Sequence, residues 1–198
     1  MVCAPIPLTS LGDDVGALDR VLARLEGDIV LVGHAYAGAV IGASRNERVK
    51  LLVYVAALAP DAGETVAEVF YREPPHPQAP KLAPDESGFI WMPPDGFEHA
   101  FAQDASPEAK SVLLATQRPI NVKCIQEKAP RPLWKDKPSW FLIAENDRMI
   151  PAKTQHFQAA RMGATVRSHA VDHAPMLTAP AIVAAVLLEA TRSIRQGA

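Results

Sequence analysis

The feature that most constrains this chain is a run of small and apolar residues from Asp28 to Ile41, DIVLVGHAYAGAVI. Its apolar start predicts a buried strand, and the small residues that follow predict a tight turn into a helix. A strand and a helix joined in this way pass close together, so only small side chains fit two positions before and two positions after the turn. Gly33 and Ala37 meet that need. Ala35 occupies the turn itself, where such elements expose a nucleophile, but its methyl group has no lone pair with which to attack.

Two later segments read as loops that follow buried strands. Residues 138–151, PSWFLIAENDRMIP, place Asp147 after an apolar run, and residues 171–177, VDHAPML, place His173 just before a last helix. Positions 35, 147 and 173 therefore carry, in chain order, an alanine at a tight turn, an aspartate in a loop and a histidine in a loop. The alternative for Asp147 is an acid that caps the next helix. The competitor of His173 is His169, at the end of the preceding strand.

Together these residues resemble the α/β-hydrolase superfamily, in particular small bacterial esterase-like members with a Gly-His-Ser-Tyr-(Gly/Ala)-Gly-Ala turn, the nucleophile elbow. Here residues 33–39 read GHAYAGA. In that superfamily the nucleophile, the acid and the histidine follow in this order. The resemblance implies that Ala35 holds the nucleophile position, that Asp147 and His173 are the acid and the base, and that the Tyr36 N–H is an oxyanion donor. The other elbow residues are Gly33, His34, Ala37 and Gly38.

The neighbours of these candidates are interpreted as non-catalytic. We predict that His34 packs and forms hydrogen bonds and that Asp172 is a solvated neighbour of His173. Cys3 and Cys124 show no metal-ligand spacing and are expected to be reduced structural residues. The resemblance implies no cofactor, and we expect no metal ion.

The alternation of strand-like and helix-like periods predicts an α/β fold, a mostly parallel sheet covered by helices. Residues 60–134 interrupt this alternation and contain 12 of the 18 prolines. In the resembling family a lid over the active site is inserted at this point. We therefore assign residues 1–59 and 135–198 to the α/β-hydrolase core and residues 60–134 to an irregular helical lid, or cap, insertion.

Individual elements follow from the same patterns. Residues 9–14 supply helix-capping side chains ahead of apolar positions at helical spacing. Strands are predicted over 29–32, 51–56, 140–144 and 165–168, and helices over 36–45, 107–117, 153–162 and 180–194. By comparison with the family, we expect the early strands and a His-Gly loop with a second oxyanion donor to be missing. Strand 29–32 then becomes a sheet edge, and an apolar edge favours pairing with another chain, either in a homodimer or with a complementary N-terminal segment.

Composition limits the possible partners and location. The net charge of −2 gives no general attraction to nucleic acid or to anionic membranes. No apolar stretch is long enough to span a bilayer, and the first residues, MVCAP, lack the layout of a signal peptide. We therefore expect a cytoplasmic protein that binds neither nucleic acid nor membranes.

The leading functional prediction is a carboxylic-ester hydrolase (esterase-like) scaffold that is inactive or nearly so as written, because Ala35 replaces the serine. It would be a hydrolase if the parent protein from which this sequence derives carries serine at position 35. Two histories fit Ala35: a substitution made to trap a ligand, or natural decay into a binding protein. The expected ligand is a small ester or lactone-like molecule. The alternatives are a non-catalytic small-molecule binding protein that uses the lid cleft, and an interaction module that pairs through its exposed sheet edge.

Overall fold

The computed structural model describes residues 1–196, and a four-stranded parallel sheet with the strand order β1-β2-β5-β6 forms its centre. A second, antiparallel pair joins β3 to β4. The strands are β1 (Ile29–Ala35), β2 (Val49–Ala57), β3 (Phe89–Ile90), β4 (Ile120–Asn121), β5 (Ser139–Ala144) and β6 (Thr165–His169).

Helices connect these strands over residues 1–196. Residues Phe97–Phe101 form a π-helical turn and Leu133–Lys135 a 3₁₀ turn. The α-helices are α1 (Leu11–Leu22), α2 (Ala37–Ala43), α3 (Val66–Phe70), α4 (Pro94–Gly96), α5 (Pro107–Thr116), α6 (Val122–Gln126), α7 (Ala152–Met162), α8 (Pro175–Thr178) and α9 (Pro180–Gln196).

The helices cover both faces of the sheet. Apolar residues of α1, α2 and α7 pack on one face, and α9 packs on the other through Val186 and Ala190. The β2 strand lies in the middle and is almost entirely buried, which explains its continuous apolar sequence. The predicted α/β class with a mostly parallel, helix-covered sheet is confirmed.

Element boundaries differ from the predicted ones where tertiary contacts decide them. β1 continues past Val32 to Ala35, because the turn residue still pairs with β2 opposite Ala57. Ser10 caps α1 by accepting the Asp13 N–H through its side chain. Asp14, expected among the capping residues, is instead completely buried.

The region between β2 and β5 contains only short elements, as its proline content predicts. The helix expected over 107–117 is present as α5, and the other pieces are two-residue strands and helices of three to five residues. Several of their side chains pack on the sheet's main core, including Val66 and Val69. The lid boundaries at residues 60 and 134 stay a prediction.

β1 is an edge of the sheet, since within residues 1–196 its only strand neighbour is β2. Val32 on this strand is 45% exposed. Beside it runs a groove of about 620 Å³ whose walls come from the N-terminal segment, α1, β1 and α2. Residues 1–7 contribute to this groove without forming a strand. None of the helices over residues 1–196 is both long enough and apolar enough to cross a membrane.

Candidate active site

The chain passes from β1 into α2 through a strained turn at Ala35. This alanine has a φ of 49°, in the left-handed region that non-glycine residues rarely adopt. Its neighbours must be small. A Cβ on Gly33 would lie 2.7 Å from the Ala37 carbonyl oxygen, and one on Gly38 would lie 2.4 Å from the Leu58 carbonyl oxygen. The backbone therefore has the close strand–helix approach of a nucleophile elbow.

Asp147 and His173 meet at the same edge of the sheet as Ala35. They follow β5 and β6, and the carboxyl ends of parallel strands lie side by side. The Nδ1 of His173 lies 2.8 Å from Oδ2 of Asp147, and both side chains are buried. Since the carboxylate accepts this bond, Nδ1 is the donor and carries a proton, so in the neutral imidazole the lone pair lies on Nε2. His169 lies instead at the end of β6, paired with Ala144.

Asp147 is held by more than the imidazole. Its Oδ1 accepts the backbone N–H groups of Met149 and Ile150 at 2.7 and 2.8 Å, and its Oδ2 accepts a bond from Gln155 Nε2 at 2.8 Å. These amides belong to the loop before α7 and to α7 itself, but Asp147 is not the N-cap of that helix, which is Pro151. Three donors besides His173 therefore orient the carboxylate that accepts the hydrogen bond from His173 Nδ1.

Gln155 is a part of the site that the sequence reasoning missed. It is completely buried on α7, and its Oε1 accepts the Ala144 N–H at 3.0 Å while its Nε2 also donates to the Ile150 carbonyl at 2.8 Å. The amide thus joins the end of β5 to the loop that carries Asp147. The available sequence signal was a glutamine on the buried face of a helix directly after the acid loop.

His34 supports His173 through the backbone. Its Nε2 lies 2.7 Å from the His173 carbonyl oxygen, and the two rings are 4.7 Å apart. A carbonyl only accepts, so Nε2 carries the proton. Burial, with a smaller contribution from the nearby His173, lowers the pKa of His34 to about 3. His34 is therefore neutral near pH 7 and acts as a hydrogen-bond donor, in agreement with its predicted packing role.

The prediction for Asp172 was wrong, because this residue is completely buried. Its Oδ1 accepts the Ala174 N–H at 3.1 Å and the Thr178 hydroxyl at 2.6 Å, and its Oδ2 accepts the Asp104 N–H at 3.2 Å. The last of these donors comes from the region between β2 and β5. Asp172 thus ties the His173 loop both to the following helix and to this region.

A cavity of about 170 Å³ lies against the elbow. Ala35, Tyr36 and His173 form one wall, and most of the remaining wall is aliphatic or aromatic with no charged side chain. Within residues 1–196 the Tyr36 N–H has no hydrogen-bond acceptor, so it is available to a ligand. The remaining lining residues are Leu58, Val66, Ala67, Phe70, Tyr71, Leu82, Ile90, Phe101, Ile120, Ile125, Met149 and Ile150.

A parallel sheet with a strained strand–helix turn and a buried acid–imidazole pair at its carboxyl edge defines the α/β-hydrolase class. The chain belongs to the alpha/beta hydrolase family, whose sequence model matches residues 4–186. Its placement among small bacterial esterase-like members stays a prediction.

Individual relatives agree with this family assignment. The alpha/beta hydrolase nvfD of Aspergillus novofumigatus (strain IBT 16806) is 26% identical over 205 residues, which cover 93% of this chain and 79% of that protein. The structure of polyneuridine aldehyde esterase superposes with a TM-score of 0.77 at 19% identity, covering 91% of this chain and 79% of that one. A variant of tomato methylketone synthase I complexed with beta-ketoheptanoate also gives a TM-score of 0.77, at 17% identity, covering 93% and 79%. At these identities the structural likeness shows the fold alone.

Proposed function

We propose that the cavity is an ester-binding site of the carboxylic-ester hydrolase type, in which Ala35 holds the nucleophile position and turnover is slow or absent. One observation carries this proposal: Ala35 lines the same cavity as His173, whose Nδ1 lies 2.8 Å from Asp147. The arrangement supplies a base, an acid that orients it, and a turn that presents residue 35 to a ligand. The attacking oxygen itself is lacking, and the Tyr36 N–H is the one oxyanion donor assigned.

Each remaining group has a defined task in the proposed site. The free Nε2 of His173 would accept the proton of a hydroxyl at position 35 and return it to the leaving alcohol. Asp147 keeps the imidazole in the required tautomer and stabilises its cationic form. The Tyr36 N–H would donate to the carbonyl oxygen as negative charge develops there. Without the hydroxyl the acyl-enzyme cannot form, and the site can only bind the ester or direct water at it.

The cavity also supports a choice of ligand. Its walls are apolar and uncharged, which favours a neutral ester or lactone with an aliphatic acyl group. Its volume of about 170 Å³ is below the roughly 300–1,000 Å³ typical of sites for drug-sized ligands, so a short acyl chain fits better than a bulky one. The name of polyneuridine aldehyde esterase, a structural neighbour, is consistent with ester chemistry on this fold.

The test is to restore the oxygen with Ala35→Ser and follow release of 4-nitrophenolate from 4-nitrophenyl hexanoate. We expect the unmodified chain to bind methyl hexanoate, seen by saturation-transfer NMR, without hydrolysing it. Ala35→Ser should hydrolyse the nitrophenyl ester weakly, and the double variant Ala35→Ser/His173→Ala should lose that activity. Equal rates for Ala35→Ser and the double variant would contradict the role given to His173. Hydrolysis by the unmodified chain at the rate of Ala35→Ser would contradict the role of position 35.

A second candidate function follows from the intact acid–imidazole pair beside a methyl group. Such a site can still move protons, and the β-keto acid in the methylketone synthase structure suggests a substrate. In decarboxylation, the bond to the carboxyl carbon breaks, carbon dioxide leaves, and the electron pair forms an enolate whose oxygen would accept the Tyr36 N–H. The proton of the β-keto acid's carboxyl group passes to Nε2 of His173 as carbon dioxide leaves, and the α-carbon then takes this proton from the resulting imidazolium. We expect beta-ketoheptanoate to yield hexan-2-one faster than in buffer, and His173→Ala to remove the difference. No acceleration would exclude this candidate.

A further inference from the structure

Asp14 is a buried carboxylate that the proposed chemistry does not use. It lies on α1, has no exposed surface, and forms no ion pair within residues 1–196. Three neutral donors surround it instead. The Leu8 N–H donates to Oδ1 at 2.7 Å, the Tyr36 hydroxyl donates to Oδ2 at 2.7 Å, and the Cys124 thiol lies 3.6 Å from Oδ2. A carboxylate buried without a counter-ion is costly unless hydrogen bonds satisfy it, as these do.

The donors to Asp14 come from separate parts of the chain. Leu8 precedes α1 and has a φ of 62°, Tyr36 belongs to the elbow, and Cys124 lies on α6, 110 residues away from Asp14. Burial raises the pKa of Cys124 to about 12, and burial together with Asp14 raises the pKa of Tyr36 well above its ordinary value. Both groups therefore keep their protons at neutral pH and remain donors.

Tyr36 connects this cluster to the cavity. It directly follows Ala35, its residue forms part of the cavity wall, and its backbone N–H is available to a ligand. A tyrosine whose hydroxyl is held by a hydrogen bond has little freedom to rotate about its side-chain bonds, so the residue is held at both ends. The Tyr36 N–H shares its peptide plane with the Ala35 carbonyl, which the Leu58 N–H holds at 3.0 Å. The hydrogen bond at the far end of the Tyr36 side chain therefore adds a second contact that keeps this N–H in place.

We propose that Asp14 is a positioning residue that acts through the Tyr36 side chain to aim the Tyr36 N–H at the oxygen of a bound acyl group. The inference rests on the proposed function, because it takes that N–H as the oxyanion donor. A carboxylate ligand needs a correctly directed donor, whereas an alcohol of the same chain length needs only the apolar cavity. Loss of Asp14 should therefore weaken carboxylate binding selectively.

The experiment compares hexanoate with hexan-1-ol on protein labelled with nitrogen-15 in tyrosine. The chain has only three tyrosines, so the Tyr36 amide signal can be assigned with single Tyr→Phe variants. In the unmodified chain, hexanoate should shift this signal more than hexan-1-ol does. Asp14→Ala should weaken hexanoate binding about tenfold, the effect of losing one charge-assisted hydrogen bond, and change hexan-1-ol binding less than about twofold. Asp14→Asn, which keeps an acceptor for the hydroxyl, should restore most of the hexanoate affinity.

A second pair of variants covers the case in which Asp14→Ala does not fold. Tyr36→Phe removes only the hydroxyl that Asp14 accepts, and it should reproduce the selective loss of hexanoate affinity. Tyr54→Phe is its matched control, because the Tyr54 hydroxyl is also buried but has no hydrogen-bond partner within residues 1–196. We expect Tyr54→Phe to leave both affinities unchanged.

The outcomes separate the two proposals. If the unmodified chain shows no Tyr36 shift with hexanoate or with the neutral methyl hexanoate, the proposed function fails and the role of Asp14 fails with it. If only the ester shifts the signal, the variants are compared with methyl hexanoate in place of hexanoate. If that shift is present but Asp14→Ala or Tyr36→Phe weakens both ligands equally, Asp14 only supports the structure. A hexanoate affinity that neither variant changes would also overturn the role of Asp14 and leave the ester site intact.

Discussion

Replacing Gln155 with methionine should destabilise the protein far more than the loss of a surface hydrogen bond. Methionine has nearly the length and volume of glutamine, so Gln155→Met removes the hydrogen bonds without opening a large cavity. The Ala144 N–H and the Ile150 carbonyl both lose this buried partner. The Asp147 Oδ2 loses one of its two donors but keeps the bond from His173.

The magnitude follows from the two backbone groups. A buried polar group left without its partner costs about 1–3 kcal/mol, so two such groups give about 2–6 kcal/mol. Domains of this kind are stable by only about 5–15 kcal/mol. With a urea dependence near 2 kcal/mol per molar, the unfolding midpoint should fall by about 1–3 M.

The assay is urea unfolding followed by tryptophan fluorescence and circular dichroism. Gln117→Met provides the control. Gln117 forms bonds of the same kind with the Met92 N–H and carbonyl and with the Leu114 carbonyl, but it is partly exposed, so water can replace them. The control should lose about 1 kcal/mol or less. Equal losses for the two variants would refute the view that burial of the Gln155 amide holds the Asp147 loop.

Three further predictions concern the elbow, the pH dependence and the sheet edge. Gly38→Ala should destabilise the protein by several kcal/mol, since its Cβ would lie 2.4 Å from the Leu58 carbonyl oxygen. The control Gly16→Ala in α1 should raise the free energy of unfolding, by at most about 1 kcal/mol. Urea unfolding midpoints of the two variants check both expectations. The pKa of His34 is about 3 in the folded chain and near 6.5 in the unfolded chain. Between these values the unfolded chain binds a proton at His34 and the folded chain does not. The contribution of His34 to stability is therefore full above pH 6.5 and is lost as the pH falls toward 3. His34→Gln should flatten that dependence between pH 7 and pH 5, and an unchanged slope would assign it to another group. At micromolar concentrations the chain should associate through the β1 edge. Val32→Lys should raise the dissociation constant of this association about tenfold or more. Sedimentation that shows the unmodified chain as a monomer at every concentration would contradict the prediction.

The strands, the elbow and the acid–histidine pair were predictable because each has a local sequence signal. Each of these patterns spans at most about a dozen consecutive residues: a buried strand, a small-residue turn, or a loop after an apolar run. Parallel pairing of the strands then brings the loops at their carboxyl ends together. Asp14 has no such signal, and the signal for Gln155 is only a glutamine on the buried face of a predicted helix. The partners of Asp14 include Cys124, 110 residues away, which only the tertiary packing brings near. The bond from the Ala144 N–H to Gln155 spans only 11 residues, but it depends on how α7 packs against the end of β5. Asp172 was misread for the same reason, because one of its donors comes from a distant region of the chain.

The strain at Ala35 comes from its surroundings and does not depend on its side chain. A non-glycine residue in the left-handed region costs about 1–3 kcal/mol, and it persists only where neighbours hold it. Here the Leu58 N–H donates to the Ala35 carbonyl at 3.0 Å, and Ala35 pairs with Ala57 of β2. The backbone is also closely packed at Gly33 and Gly38, so it cannot move to a less strained conformation. Serine at position 35 would therefore add one oxygen atom to a backbone that is already fixed. If Ala35→Ser is inactive while folded, the missing element lies outside the elbow, and a misplaced hydroxyl is not the explanation.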